Sequence, residues 1–288
     1  MMTRNEIANN IAYKAYIIRK TALDMGYAAG EHGAHFGSTL SIAEIMATLF
    51  FGIMHYDPKH TDDPNRDRFV LSKGHGSLAL YITLSEAGYI DKEILKTFET
   101  KDSILPGHPS LHPELGIEYA TGSLGHGLSL GAGAALAAKW DRLSYMTYVL
   151  CGDGECNEGS IWEAAMLASK EHLDNLVAII DCNRMQSDGF VKDICEYGDM
   201  AAKWRAFGWN VKEVNGHDPL ELYNALGKNN HAAGKPLAII AHTVKGKGVT
   251  LFENNPKTHH YRIKKDEYEA ALDELERDEK NRRSNYEG

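Results

Sequence analysis

Tyr148-Val149-Leu150-Cys151-Gly152-Asp153-Gly154-Glu155 begins a pattern that ends at Leu176-Val177-Ala178-Ile179-Ile180-Asp181-Cys182-Asn183-Arg184-Met185-Gln186. An apolar run enters a glycine-flanked acid, which reads as a buried strand ending in a tight turn. Ile161, Ala164, Ala165, Leu167 and Ala168 then recur at helical spacing, so a helix is expected from near Glu158. Leu176–Ile180 reads as a second buried strand. The unit is strand–helix–strand, with an oxygen ligand at the end of each strand. In open parallel sheets the carboxyl ends of the strands are where ligands bind.

The ligands define a chemistry. Asp153 offers a carboxylate, Asn183 an amide carbonyl, and the loop after it a backbone carbonyl. Hard cations take such oxygens, and Mg²⁺ usually completes its shell with phosphate and water. A helix starting near Glu158 would aim free N–H groups at the anion. The layout predicts a diphosphate held through Mg²⁺ or Ca²⁺. The bland alternative, a glycine turn and an unrelated strand-end Asn, leaves the matched placement of the two ligands without a reason.

Composition fits one large α/β domain. The 288 residues are 43% hydrophobic and 25% charged, as in globular proteins that bury a sizeable core. A net charge of −9 argues against nucleic acid or an anionic membrane as partner. Met1-Met2-Thr3-Arg4-Asn5-Glu6 does not resemble a signal peptide, and no apolar run is long enough to span a bilayer. Cys151, Cys156, Cys182 and Cys195 form no Cys-x-x-Cys pair. Reduced thiols in a cytoplasmic protein are expected.

The remaining chain alternates helix and strand. Helices are expected over Asn5–Tyr27, after a cap at Ser38 or Ser41, from Leu78 to Leu84, over Asp91–Thr97, Leu128–Trp140, Asp199–Phe207 and Pro219–Leu226. Strands are expected at Phe69–Leu71, Asn210–Val214 and Pro236–His242, and irregular chain at Ser103–Ala120 and Phe190–Gly198. The alternation implies a mostly parallel sheet with helices on both faces. Lys264–Arg283 is dense in both charges, with Tyr268, Ala271 and Leu272 as a thin apolar stripe, and reads as a solvated surface helix. The expected division is residues 1–262 as the ligand-binding domain and 263–288 as a charged helix and tail.

Four histidines sit in loops at element ends: Ala34-His35-Phe36-Gly37, Ser72-Lys73-Gly74-His75, Pro106-Gly107-His108-Pro109 and His259. A lone loop histidine is ordinarily a solvated side chain. Here the contexts match a family. Gly152-Asp153-Gly154 with Asn183 resembles the thiamine diphosphate motif. From about Thr21 to Tyr261 the chain is similar to the N-terminal part of transketolase, including Lys245-Gly246-Lys247-Gly248-Val249 before His259. Phe36 stands where the family carries proline.

The resemblance implies a thiamine diphosphate-binding fold, as its diphosphate-binding domain, and a set of roles. Asp153, Asn183 and the Met185 carbonyl would hold the metal. His75, His259 and the Gly154-Glu155 backbone would contact the diphosphate, with Gly122 and Leu124 at the aminopyrimidine. His35, His108 and His259 would face the sugar, binding hydroxyls and moving protons. His260 is adjacent to His259, and the assignment between them stays open, as does the role of His126. Glu158 and Glu163 match glutamates of a carboxylate chain between paired active sites, or are ordinary helix-surface acids.

The family's cofactor-activating glutamate lies on a pyrimidine-binding domain for which this sequence has no counterpart. The resemblance therefore implies the N-terminal subunit of a split transketolase. It would transfer a two-carbon ketol unit from a ketose phosphate to an aldose phosphate, with a C-terminal partner subunit in an α2β2 heterotetramer. Three alternatives stay open: a split enzyme for a sulfonated or branched sugar, an α-type subunit of a 2-oxo-acid dehydrogenase, and a non-catalytic cofactor-binding partner. The loops at His75 and His108 speak against the second, and the full histidine set against the third.

Overall fold

The computed structural model describes residues 3–187, 189–227 and 232–287. The chain enters through α1 (Arg4–Ala28), started by a capping box in which Thr3 and Glu6 satisfy each other's backbone N–H groups. Then follow α2 (Phe36–Ser41), α3 (Ala43–Thr48), β1 (Arg68–Leu71), α4 (Ser77–Glu86), α5 (Lys92–Leu95) and α6 (Gly127–Trp140). The central unit is β2 (Thr147–Gly152), α7 (Gly159–Lys170) and β3 (Leu176–Cys182). Beyond it come β4 (Met185–Gln186), β5 (Gly189–Phe190), α8 (Val191–Ile194), α9 (Met200–Ala206), β6 (Asn210–Asn215), α10 (Pro219–Leu226), β7 (Leu237–His242) and α11 (Lys265–Glu287).

The main sheet is parallel, in the order β1-β2-β3-β7-β6. Gly152 lies opposite Asp181 and Cys182 opposite His242, so the strands end level with one another. Alternate residues serve two cores. Tyr148, Leu150, Val177, Ile179 and Ile239 face a cluster built with α1, α3 and α4. Val149, Cys151, Ala178, Ile180 and Ile240 face a second, built with α6, α7 and α9. A strand buried on both faces reads as a continuous apolar run, which is the pattern Leu176–Ile180 carries.

Four expectations need correction. Ser38 and Ser41 cap nothing: both lie inside α2, buried, and the helical run they were expected to start is divided at Ile42. Leu167 is 44% exposed, on the outer side of α7. Phe190–Gly198 is not plain loop, because Val191–Ile194 forms a helical turn. On α11 the stripe includes Leu275, buried with Ala271 in the cluster that also contains α1 residues. There Tyr268 stacks on Tyr27, centroids 4.3 Å apart, and donates to Asp24. Among the described residues no helix is long and apolar enough to cross a membrane. Cys151, Cys156 and Cys182 are buried free thiols and Cys195 is exposed.

Candidate active site

Four neighbouring parallel strands deliver the site. The chain leaving β1 carries Lys73 and His75, β2 ends at Asp153, β3 leads to Asn183, and the turn after β7 carries Lys245. Their ends line a cleft of about 320 Å³, together with Ser38, Leu124, Gly154, Glu158, Met185 and His259. Asp153, Asn183 and Met185 therefore line one cleft.

Asp153 is 1% exposed. Its Oδ1 accepts the Gly154 N–H at 2.8 Å; its Oδ2 accepts the Arg184 N–H at 2.6 Å and the Tyr197 hydroxyl at 3.0 Å. Burial, and then the neighbouring Asp181 carboxylate, push its carboxyl up to about 6. A buried acid in that condition is relieved by a cation. Asn183 is oriented from behind: its Nδ2 donates to Asp181 Oδ2 at 2.8 Å, which leaves Oδ1 turned to the Met185 N–H at 3.0 Å. Asp181 itself is fully buried and accepts from Lys73, Thr243 and Ser41. Burial works against its charge, but Lys73 overcomes it and holds the carboxyl below its ordinary value.

Above these oxygens lie the histidines. His35 is the hub: its ring centroid is 4.9 Å from His75, 5.4 Å from His108, 5.3 Å from His259 and 4.6 Å from His260. His75 is also 5.0 Å from His108 and 5.2 Å from His259. Burial first, and then the other imidazoles, lower His35 to about 2 and His75 to about 3. Both rings are neutral near neutrality, each with one nitrogen that donates and one that accepts a hydrogen bond. His259 lines the cleft and lies 3.2 Å from Lys245 Nζ through its Nδ1, whereas His260 lies against His35 from outside it.

Two loops come together through glycine. Gly122 has φ +146°, and a methyl group on it would sit 3.2 Å from the His108 ring. A methyl on Gly74 would sit 2.9 Å from the Gly122 backbone. Thus the His75 loop touches the Thr121-Gly122 segment main chain to main chain, with the His108 side chain packed on Gly122, an approach that a side chain at either glycine would prevent.

The remaining expected residues lie at the cleft wall or outside it. The Glu155 side chain points inward, accepting N–H groups of Gly125 and Gly152 at 2.8 and 3.0 Å and the Ser72 hydroxyl. Glu155 nonetheless lines the cleft. Glu158 and Glu163 are exposed, Glu158 at the cleft mouth. His126 is exposed beside Thr121 and Ser123. A larger cavity of about 400 Å³ lies behind Tyr197, over Cys182, Met200 and Ile240. It holds none of the five clustered histidines and neither metal-type ligand, so the chemistry belongs to the smaller cleft.

Lys245, Ser38, Asp181 and Tyr197 were not singled out from sequence as site residues. Lys245 is 3% exposed inside the cleft, and a basic Lys-Gly-Lys-Gly turn after an apolar strand was a usable signal. Asp181 carried one also, as an acid ending a buried strand. Tyr197 carried none, since only the folded chain brings it to Asp153.

The donor set fits thiamine diphosphate with a divalent cation. Two acid or amide oxygens and a loop carbonyl suit the metal, while Lys245, His75 and backbone N–H groups suit the anion. Fold and cleft together define a diphosphate-binding α/β domain. Residues 12–282 match the family model described as transketolase, thiamine diphosphate binding domain. The 6-deoxy-6-sulfo-D-fructose transketolase subunit of Clostridium sp. (strain MSTE9) is 41% identical, over 93% of this chain and 97% of its own length. An apulose-4-phosphate transketolase subunit of Phocaeicola vulgatus is 44% identical, over 93% and 94%. Transketolase from Campylobacter jejuni superposes with a TM-score of 0.85 at 33% identity, over 93% of this chain but 43% of its own. The chain belongs to the transketolase family and carries its thiamine diphosphate-binding domain.

Proposed function

We propose that this chain is the N-terminal, diphosphate-binding subunit of a split transketolase. With a second polypeptide it moves a two-carbon ketol unit from a phosphorylated or sulfonated ketose to an aldose phosphate. The observation that carries the reading is the histidine cluster mounted over the Asp153–Asn183 ligand pair. Relatives of matching length are named as transketolase subunits, which supports the division of labour. Bound thiamine diphosphate supplies an electron sink for the carbanion left when the bond beside a carbonyl breaks.

The protein's own part is binding and proton handling. Asp153, Asn183 and the Met185 carbonyl hold Mg²⁺, and His75, His259, Lys245 and the Gly154-Glu155 backbone take the diphosphate. Gly122 and Leu124 line the aminopyrimidine end. His35, His108 and His259 contact substrate hydroxyls. His108 or His259 accepts a proton from a donor hydroxyl and returns one to the acceptor, while His35, held neutral, binds a hydroxyl. Glu158 and Glu163, exposed on or beside α7, would belong to a carboxylate chain toward a paired site. The assembly is an α2β2 heterotetramer in the cytoplasm, its partner carrying the pyrimidine-binding domain. Residues 1–262 form the working domain, and α11 is a strap packed across α1.

The donor is a ketose other than the common pentose phosphates, sulfonated or branched. Two relatives are named for a sulfofructose and for apulose 4-phosphate, which favours this reading. Assays of the chain alone, the partner alone and the mixture, with cofactor and Mg²⁺, test both points. Ketol transfer is expected from the mixture alone and fastest with a sulfonated or branched ketose. Equal activity from this chain by itself would refute the split reading.

A further inference from the structure

Away from the cleft, three ionisable side chains from separate elements, Arg19 and Glu44 buried and His217 half-buried, meet in the wall of a second pocket. Arg19 of α1 forks onto Glu44 of α3, with Nη1–Oε1 and Nη2–Oε2 both at 2.6 Å. Glu44 Oε2 also accepts from His217 Nδ1 at 3.0 Å, in the turn between β6 and α10. That contact fixes the ring: with Nδ1–H donating to a carboxylate, Nε2 is left as an acceptor. It takes the Val244 N–H at 2.8 Å. Arg19 Nε donates to the Lys247 carbonyl at 2.8 Å. The group thus grips one turn at two points, on either side of Lys245.

Inside that turn the Lys247 N–H donates to the Val244 carbonyl at 3.2 Å, and further bonds from its backbone run to its neighbours, from the Gly246 N–H to the Gly37 carbonyl at 3.1 Å and from the Gly248 N–H to the Glu253 carboxylate at 2.9 Å. Gly246 and Gly248 have φ +80° and +93°, and glycine has little intrinsic preference for one backbone conformation. Yet its one long side chain inside the cleft, Lys245, must pass between Gly37 and His259. A methyl on Gly37 would sit 3.1 Å from the Lys245 methylenes, so the passage is narrow. A buried ion network adds little stability over an apolar filling of the same volume. What an apolar filling cannot do is accept the Val244 N–H.

We propose that His217 is a positioning residue for cofactor binding: held by Glu44 and Arg19, it fixes the Val244–Gly248 turn and so aims Lys245 at the diphosphate. This rests on the function proposed above. His217 touches neither cofactor nor substrate, and its effect passes through the backbone.

The two ring nitrogens can be separated by substitution. In His217→Gln the side-chain carbonyl reaches the position of Nε2 and can accept from Val244. In His217→Asn the amide reaches only the position of Nδ1 and Glu44. The full chain, assembled with its partner at fixed Mg²⁺, is titrated with thiamine diphosphate by fluorescence, and melting temperatures are taken alongside. His217→Gln is expected within about twofold of the natural protein, and His217→Asn roughly three- to tenfold weaker, the worth of one ordinary hydrogen bond. Equal affinities of the two variants, or affinities that simply follow melting temperature, would overturn the proposal. A second arm needs no variant: amide exchange in the natural chain should find the Val244 N–H protected like those of β7, and rapid exchange there would also overturn it. Failure of the natural assembly to bind thiamine diphosphate would count against the proposed function, while the exchange arm still decides the brace.

Discussion

At the scale of single residues, the site separates groups that meet an anion from groups that meet a sugar. His75 lines the cleft with Lys245 and Asp153, whereas His108 lies beyond it, packed on Gly122. His75→Ala should weaken thiamine diphosphate binding roughly ten- to a hundredfold, the worth of a hydrogen bond to a charged group. His108→Ala should lower turnover and leave cofactor affinity within about threefold. Calorimetric titration and steady-state kinetics on both variants check this, and equal losses of affinity would dissolve the division. The four loop histidines were singled out because their contexts resemble those of the transketolase family, and the two strand-end ligands because each follows an apolar run. His217 and Tyr197 were not, since a ring that accepts from Val244 or donates to Asp153 is defined only by tertiary contact.

At the scale of elements, Glu44 joins α1, α3 and the chain around β6 and β7. Burial works to raise its carboxyl, but Arg19 and His217 overcome this and hold it at about 2, against an ordinary 4.5. A carboxyl depressed in the folded state contributes stability that is present above its unfolded value and is lost as pH falls through the folded one. The contribution is on the order of 3 kcal/mol above pH 4.5 and fades toward pH 2. Glu44→Gln should therefore be less stable than the natural chain at pH 6, with the gap closing as pH falls below 4.5. Urea unfolding at several pH values measures the gap, and a constant one would discard Glu44 as its source. Elements with their own start signals were the readable ones. Asp218 and Pro219 start α10, and Asp199 starts α9 with its side chain on the Ala202 N–H. The division between α2 and α3 at Ile42 was not readable, because those residues are buried throughout and show no amphipathic period.

At the scale of the molecule, the place of β7 in the sheet governs how the chain can be made. It lies between β3 and β6, although it is last of the main-sheet strands to be synthesised. Until Leu237–His242 has left the ribosome, β3 has an open edge and β6 has nothing to pair with. An unpaired apolar edge is a template for other chains. Folding that waits on distant pairings is slow and exposed to aggregation. A nascent chain stopped after α10 should therefore bind chaperone and pellet on release, and one carried past α11 should stay in solution. Ribosome-stalled chains of the two lengths, released in a purified translation system and spun down, distinguish these fates; a soluble shorter chain would remove β7 from the role. The arrangement that levels the strand ends into a cofactor cleft thus makes translation itself the vulnerable interval in the life of this subunit.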